Sequence, residues 1–144
     1  MTVRYLLFLL VFSCSGALAQ KKSPLLGKWE NPNGDGRIEF KKRGDTYYGI
    51  LYWIKQPNHP DGTPKLDENN PKPELRTRRI QGIELMFGLV DKGNGVFEDG
   101  FVYEPKSATN FNCRLTLDGD QLQMQGYLGT PLLGRTETWK RIKK

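Results

Sequence analysis

From residue 27 to residue 142 the chain is a run of short alternating stretches cut by tight-turn signals, and this rhythm constrains the fold most. Residues 37–41 put Ile38 and Phe40 on one face and Arg37, Glu39 and Lys41 on the other. Residues 109–117 repeat the pattern, with Phe111, Cys113, Leu115 and Leu117 opposite Asn110, Asn112, Arg114 and Thr116. A period of two is the signature of a half-buried strand. Residues 31–36, Arg43-Gly44-Asp45, Asn94-Gly95 and Asp118-Gly119 supply turn chemistry between such stretches. Residues 46–54 are apolar and aromatic on both faces, so something besides their hairpin partner must cover one of them. Alternation also places Ile83, Leu85, Phe87 and Leu89 on one face, and Phe97, Phe101 and Tyr103 on one side of the next strand, with a bend at Gly100.

The count is about eight strands, joined mostly by short connections. An open meander of that size leaves two raw edges, and closing it into a barrel removes them. The expected fold is therefore all-β, an antiparallel barrel of about eight strands. Its lumen either fills with side chains or holds one small ligand. The rhythm breaks once, over residues 66–82, which hold two prolines, three acids, three arginines and the pair Asn69-Asn70. Asn70-Pro71 resembles a cap and first-turn proline, so one or two helical turns are expected over residues 73–79. A hairpin meander does not need this segment to fold. It is expected to lie against the barrel, as a plug or as the wall of a site.

The first nineteen residues read as a secretory signal peptide: Arg4, the apolar run of residues 5–12, then Ala17-Leu18-Ala19 at cleavage spacing. The run is too short to span a membrane. Residues 20–144 would then form a single domain in the bacterial periplasm or outside the cell, large enough for a real core. Lipidation at Cys14 is a minor alternative, poorly served by the bulky Phe12 before it. Removal of the leader leaves Cys113 alone, so no internal disulfide can form. The formal net charge of +6 falls to about +5 once the leader's Arg4 is removed, and much of it lies at the two ends of the mature chain, in Lys21-Lys22 and in residues 141–144. Such a surplus favours solubility and attraction to anions. Export and the lack of any recognition module argue against nucleic acid as the partner.

Ordered motifs along the chain resemble the bacterial exported family known as domain of unknown function 2147. They are Gly27-x-Trp29, Asp67-x-x-Asn70-Pro71, Leu75-Arg76-x-Arg78, Gly82, Gly100-x-x-Tyr103-x-Pro105, Gly126-Tyr127-x-Gly129 and Leu133-Gly134-Arg135-Thr136-x-x-Trp139-x-Arg141. Gly27-x-Trp29 with Arg141 is also similar to the signature of lipocalin-type barrels. That resemblance implies a tryptophan closing one end of the barrel and a last-strand arginine packed over it. Three places depart from the family pattern: Phe97 replaces tryptophan, Arg79 replaces proline, and the turn Lys106-Ser107-Ala108 lacks a glycine-lysine pair. The resemblance implies an exported lipocalin-like barrel and no established activity.

Each candidate site has two readings. Arg135, Glu137, Trp139 and Arg141 share one face of the last strand. They form either structural ion pairs and barrel closure with Trp29, or a pocket whose guanidinium receives a carboxylate or phosphate. In the crossover, Asp67 and Asn70 either lock the loop, with the arginines paired to its acids, or help Arg76 and Arg78 form an anion site. No metal site and no cofactor is expected, because calcium and zinc patterns are missing. An enzyme ranks last. His59, the sole histidine, sits on a proline-rich loop, Cys113 lies on an apolar strand face, and neither serine of the mature chain is in a nucleophile motif.

The leading functional expectation is a module that binds a small amphipathic or acidic ligand. Tyr48, Ile50, Tyr52, Phe87, Phe101 and Tyr103 would form its walls, with Arg76, Arg78 and Arg135 as polar contacts. The alternative is an envelope protein–protein interaction module with a side-chain-filled barrel, docking through Tyr47, Trp53 and Tyr127. The oligomeric state is open in both.

Overall fold

The computed structural model describes Gly16 and residues 21–144. The expected signal peptide and Cys14 lie outside the described residues, apart from Gly16. The described chain is an all-β closed barrel of eight antiparallel strands, each paired with the next in sequence and the last with the first. The strands are β1 (Gly27–Glu30), β2 (Gly36–Arg43), β3 (Thr46–Ile54), β4 (Glu84–Gly93), β5 (Val96–Glu104), β6 (Thr109–Asp118), β7 (Gln121–Tyr127) and β8 (Arg135–Arg141). The closing seam is short, with only Trp29 opposite Arg141 and Glu30 opposite Lys140.

The crossover between β3 and β4 holds less helix than its caps suggest. A single 3-10 turn forms at Pro73–Leu75, and a second follows β7 at Pro131–Leu133. Instead of coiling further, the crossover pairs with itself: Leu66 bridges Arg79, and the Ile80 amide donates to the Lys65 carbonyl at 3.0 Å. Its end is stitched to β3, with Gly82 donating to the Leu51 carbonyl at 2.7 Å. In the β5–β6 turn, where the resemblance leads us to expect a glycine, Ala108 adopts the left-handed conformation itself, at φ 54°.

Facing is where simple alternation fails. On β3, Tyr47, Gly49 and Leu51 point inward and are buried, so Tyr48, Ile50 and Tyr52 point outward. Gly49 decides this parity: a Cβ there would sit 2.9 Å from Ile38 and 3.1 Å from Phe40, both core residues. On β4 the chain breaks step near Gly88, whose φ is 72°, so Met86 and Leu89 are buried while Phe87 faces out. On β5, Asp99 at φ 65° makes a bulge, placing Phe97 inside and Phe101 outside, 40% exposed. Phe87 and Phe101 stack on the outer surface with ring centres 5.6 Å apart. A bulge adds one residue to one strand and flips every side chain beyond it. β6 needs no such correction, and its Cys113 and Leu115 are buried.

The two ends of the barrel differ. At one end Trp29, Phe40, Leu89, Phe97, Leu115 and Leu122 are packed to full burial, with Tyr47 edge-on to Phe97 at 5.3 Å. Trp29 is wholly buried, and its indole Nε1 donates to the Leu25 carbonyl at 3.0 Å. The other end carries the hairpin at residues 31–35, the crossover, the 105–108 turn and the 128–134 link. There the side chains do not meet across the lumen.

Candidate functional site

The unfilled end of the lumen is a cavity of about 580 Å³. Its walls are apolar. β3, β4 and β5 contribute Leu51, Leu85 and Val102, β6 and β7 contribute Phe111 and Met124, and β8 contributes Trp139. Gly126 opens the wall on β7, where an added methyl would make ordinary contacts, 3.5 Å to Val102 and 3.7 Å to Phe111. At the rim stand Glu104, Arg135 and Glu137, together with Leu128 and Leu133. An apolar chamber with a few polar groups at its edge suits an amphipathic molecule.

The rim groups are not equivalent. Glu137 accepts a hydrogen bond from the Trp139 indole at 3.2 Å, which orients the carboxylate along its own strand. Glu104 accepts from the Ser107 hydroxyl. Arg135 is exposed and forms no ion pair among the described residues. The structural ion pair expected of Arg135, with Glu137 or with an acid of the crossover, does not form among the described residues; Arg135 and Glu137 are both exposed, so nothing forces them together. Arg135 is thus the one basic side chain bordering the cavity, with its guanidinium uncommitted.

Few of the side chains expected to hold a ligand reach this cavity. Arg135 and Tyr103 border it; Tyr48, Tyr52, Phe87, Arg76 and Arg78 do not. Tyr48 lies on the outer face beneath Arg43, whose guanidinium is 3.9 Å from its ring centre. Tyr52 lies outside with Lys28 5.1 Å away. Phe87 is taken by Phe101. The surface aromatics fare similarly: Tyr47 is core, and Arg37 covers Trp53 at 4.3 Å. His59 is exposed on its loop. Cys113 is 1% exposed, and burial pushes its thiol up to about 12, leaving no thiolate at neutral pH.

The crossover arginines belong to a different device. Asp67 is wholly buried at the centre of a latch that fastens the crossover to β5. One carboxylate oxygen accepts from the Tyr103 hydroxyl at 2.7 Å. The other accepts from Asn70 at 2.8 Å and from the Arg78 Nε at 2.9 Å. Burial pushes the Asp67 pKa up, but the bonds from Asn70, Tyr103 and Arg78, with the Arg78 charge, outweigh it and hold the carboxyl below its usual range. Asn70 turns its own oxygen to the Lys72 amide at 2.9 Å. Arg76 pairs with no acid among the described residues and donates to the Asn70 carbonyl at 2.7 Å. Asp67 therefore locks the loop through side chains, and Asn70 adds a side-chain bond to a backbone amide.

Trp139 was expected to help Trp29 close the barrel, and it does something else. It is 5% exposed and lines the cavity, while Arg141 lies over Trp29, at 4.2 Å. Sequence reasoning also missed Leu51, Leu85, Val102 and Met124 as cavity walls. Gly126, a glycine amid a strand, was the available signal for an opening on that wall.

A family described as "uncharacterized protein conserved in bacteria" (DUF2147) matches residues 27–141. A solved structure titled "Protein HP1028 from the human pathogen Helicobacter pylori belongs to the lipocalin family" aligns with a TM-score of 0.72 and 22% identity, covering 85% of each chain. At that identity the likeness is one of fold. No curated protein matches the sequence. The chain belongs to the DUF2147 family, on a lipocalin-like barrel.

Proposed function

We propose that this protein is an exported lipocalin-like module that takes a small amphipathic, acidic ligand into the open half of its barrel. The observation that carries the reading is the half-filled lumen. The cavity of about 580 Å³ falls within the range of roughly 300–1,000 Å³ that small-molecule sites occupy. The apolar part of the ligand would lie against Leu51, Val102, Phe111 and Met124, and its acidic group would meet Arg135 at the rim. The apolar run at residues 5–12 and Ala17-Leu18-Ala19 support secretion, with residues 20–144 as the mature domain. A purely structural barrel would fill both halves of its core, and this one fills one.

The test is native mass spectrometry of the protein purified from its own cells, followed by titration of the stripped protein with an amphipathic fluorescent carboxylate. The expected result is a retained small molecule, or saturable probe uptake that Arg135→Glu weakens about tenfold, equivalent to about 1.4 kcal/mol. An empty protein that takes up no probe overturns the reading. The interaction-module alternative retains one supporting observation. Leu132 and Leu133, 94% and 83% exposed at the rim, have the character of a docking lip.

A further inference from the structure

We propose that the filled end of the barrel, opposite the cavity, is a docking face for an anionic lipid surface. A groove of about 680 Å³ runs across this end between the entry to β1, the end of β2 and the chain's last residues. Lys22, Lys28, Lys41, Lys42 and Lys144 line it, and Glu39 is the single acid that does. All five lysines are exposed, and none is in an ion pair among the described residues. Arg141 and Lys143 stand on the same rim, but both are engaged by Asp120, at 3.1 and 2.9 Å. Like charges gathered in one groove repel each other and add nothing to folding. They become favourable only when an outside anion meets them.

The residue types select the kind of anion. A single bound phosphate or carboxylate is best held by the planar fork of an arginine. Here the one arginine is committed to Asp120, the Trp29 ring and the Leu26 and Pro24 carbonyls. The remaining lysines are point charges on long stems, spread over three segments of chain. Such an array suits a diffuse layer of negative headgroups better than one buried ion. Lys28 and Lys42 lie 5.1 and 5.8 Å from the Tyr52 and Tyr47 rings, which hold their stems against the barrel.

The groove also sets how such a surface would be met. The chain enters the fold through it, at Lys22 and Ser23. A headgroup layer against this end leaves the cavity mouth, at the opposite end, facing the aqueous side.

The test is co-sedimentation of the full protein, as its cells process it, with vesicles of phosphatidylcholine alone or mixed with phosphatidylglycerol. The readout is the ratio of the two affinities, so that any charge-independent adsorption cancels. A ratio above one that collapses in high salt is expected. Lys41→Glu/Lys42→Glu should lower that ratio at least about tenfold with the melting temperature unchanged. Lys55→Glu/Lys106→Glu, with the same charge change on the cavity side, should leave it within about twofold. Equal affinity for both vesicle types overturns the proposal, as does equal loss for both charge-reversed pairs. Binding to soluble polyphosphate without binding to vesicles also overturns it, in favour of a soluble polyanion. The ligand probe of the cavity is read separately, so failure of docking leaves the cavity reading standing.

Discussion

The Arg141 guanidinium lies 4.2 Å from the centre of the Trp29 ring and covers the tryptophan that seals the filled end of the barrel. The same side chain donates to the Leu26 carbonyl at 3.3 Å and to the Pro24 carbonyl at 2.5 Å. It also meets Asp120 at 3.1 Å. One residue of the last strand thereby holds the segment before the first.

Trp29→Ala should lower the unfolding free energy by about 3–5 kcal/mol, since the ring is wholly buried in a packed cluster. Arg141→Ala should cost about 1–3 kcal/mol, and Arg141→Lys should recover less than half, because an ammonium lacks the fork that reaches two carbonyls. Urea melts followed by circular dichroism measure both. A Trp29→Ala loss within 1 kcal/mol would take the ring out of the core.

The Asp67 latch makes stability sensitive to acid. Its carboxyl is held below the usual range in the fold, so it stabilises above the unfolded pKa of about 3.9. That contribution disappears as pH falls through the lower, folded value. The native protein should therefore lose stability below about pH 4, and Asp67→Asn should remove that component while costing about 2–3 kcal/mol at neutral pH. Tyr103 is shifted the opposite way, raised by burial and then by its bond to Asp67. Its contribution should be present below about pH 10 and be lost as pH rises through its folded value. Denaturant melts across pH, with Tyr103→Phe as the second variant, separate the two limbs.

Cys113 should be inert in the native protein. With its thiol pushed up to about 12 and the side chain 1% exposed, labelling should proceed only as fast as the protein unfolds. The rate should climb with urea in step with the unfolding limb. Rapid stoichiometric labelling in buffer would contradict the burial. Cys113→Ser should cost about 1–3 kcal/mol by leaving a hydroxyl unpaired in an apolar wall.

Two glycines should separate cavity from core. Gly126→Val adds methyls where contacts of 3.5 and 3.7 Å leave room, so stability should change by less than about 1.5 kcal/mol while probe affinity falls about tenfold. Gly100→Ala drives a Cβ to 2.7 Å from the Phe87 carbonyl and from Leu89, so it should cost about 1–3 kcal/mol. Paired melts and probe titrations decide it. Full ligand affinity in Gly126→Val would remove this wall from the site.

The eight strands and their closure were legible because turn residues and period-two alternation come from local chemistry. Which way the strands face was legible only where one face is polar, as on β6. On β3 both faces are aromatic, and Gly49, the inward glycine that makes room for Ile38 and Phe40, was the overlooked cue. On β4 and β5, bulges at Gly88 and Asp99 reverse the count midway, so Phe87 and Phe101 landed outside. The bond between Tyr103 and Asp67 joins residues 36 apart in sequence, and no local pattern encodes it. The cavity was invisible for the same reason: a void is set by what side chains on distant strands fail to reach.

The Ile142 amide donates to the Lys28 carbonyl at 2.9 Å, continuing the β1–β8 seam past Arg141. Head and tail of the domain are thus neighbours on a ring of hairpins. A gene re-cut so that translation begins in the exposed 59–62 loop, with a brief bridge from residue 144 to residue 21 that keeps every groove lysine, would trace the same ring from a new starting point. In such a permuted protein the lysine groove would no longer sit where the polypeptide starts, and entry order could be tested apart from charge.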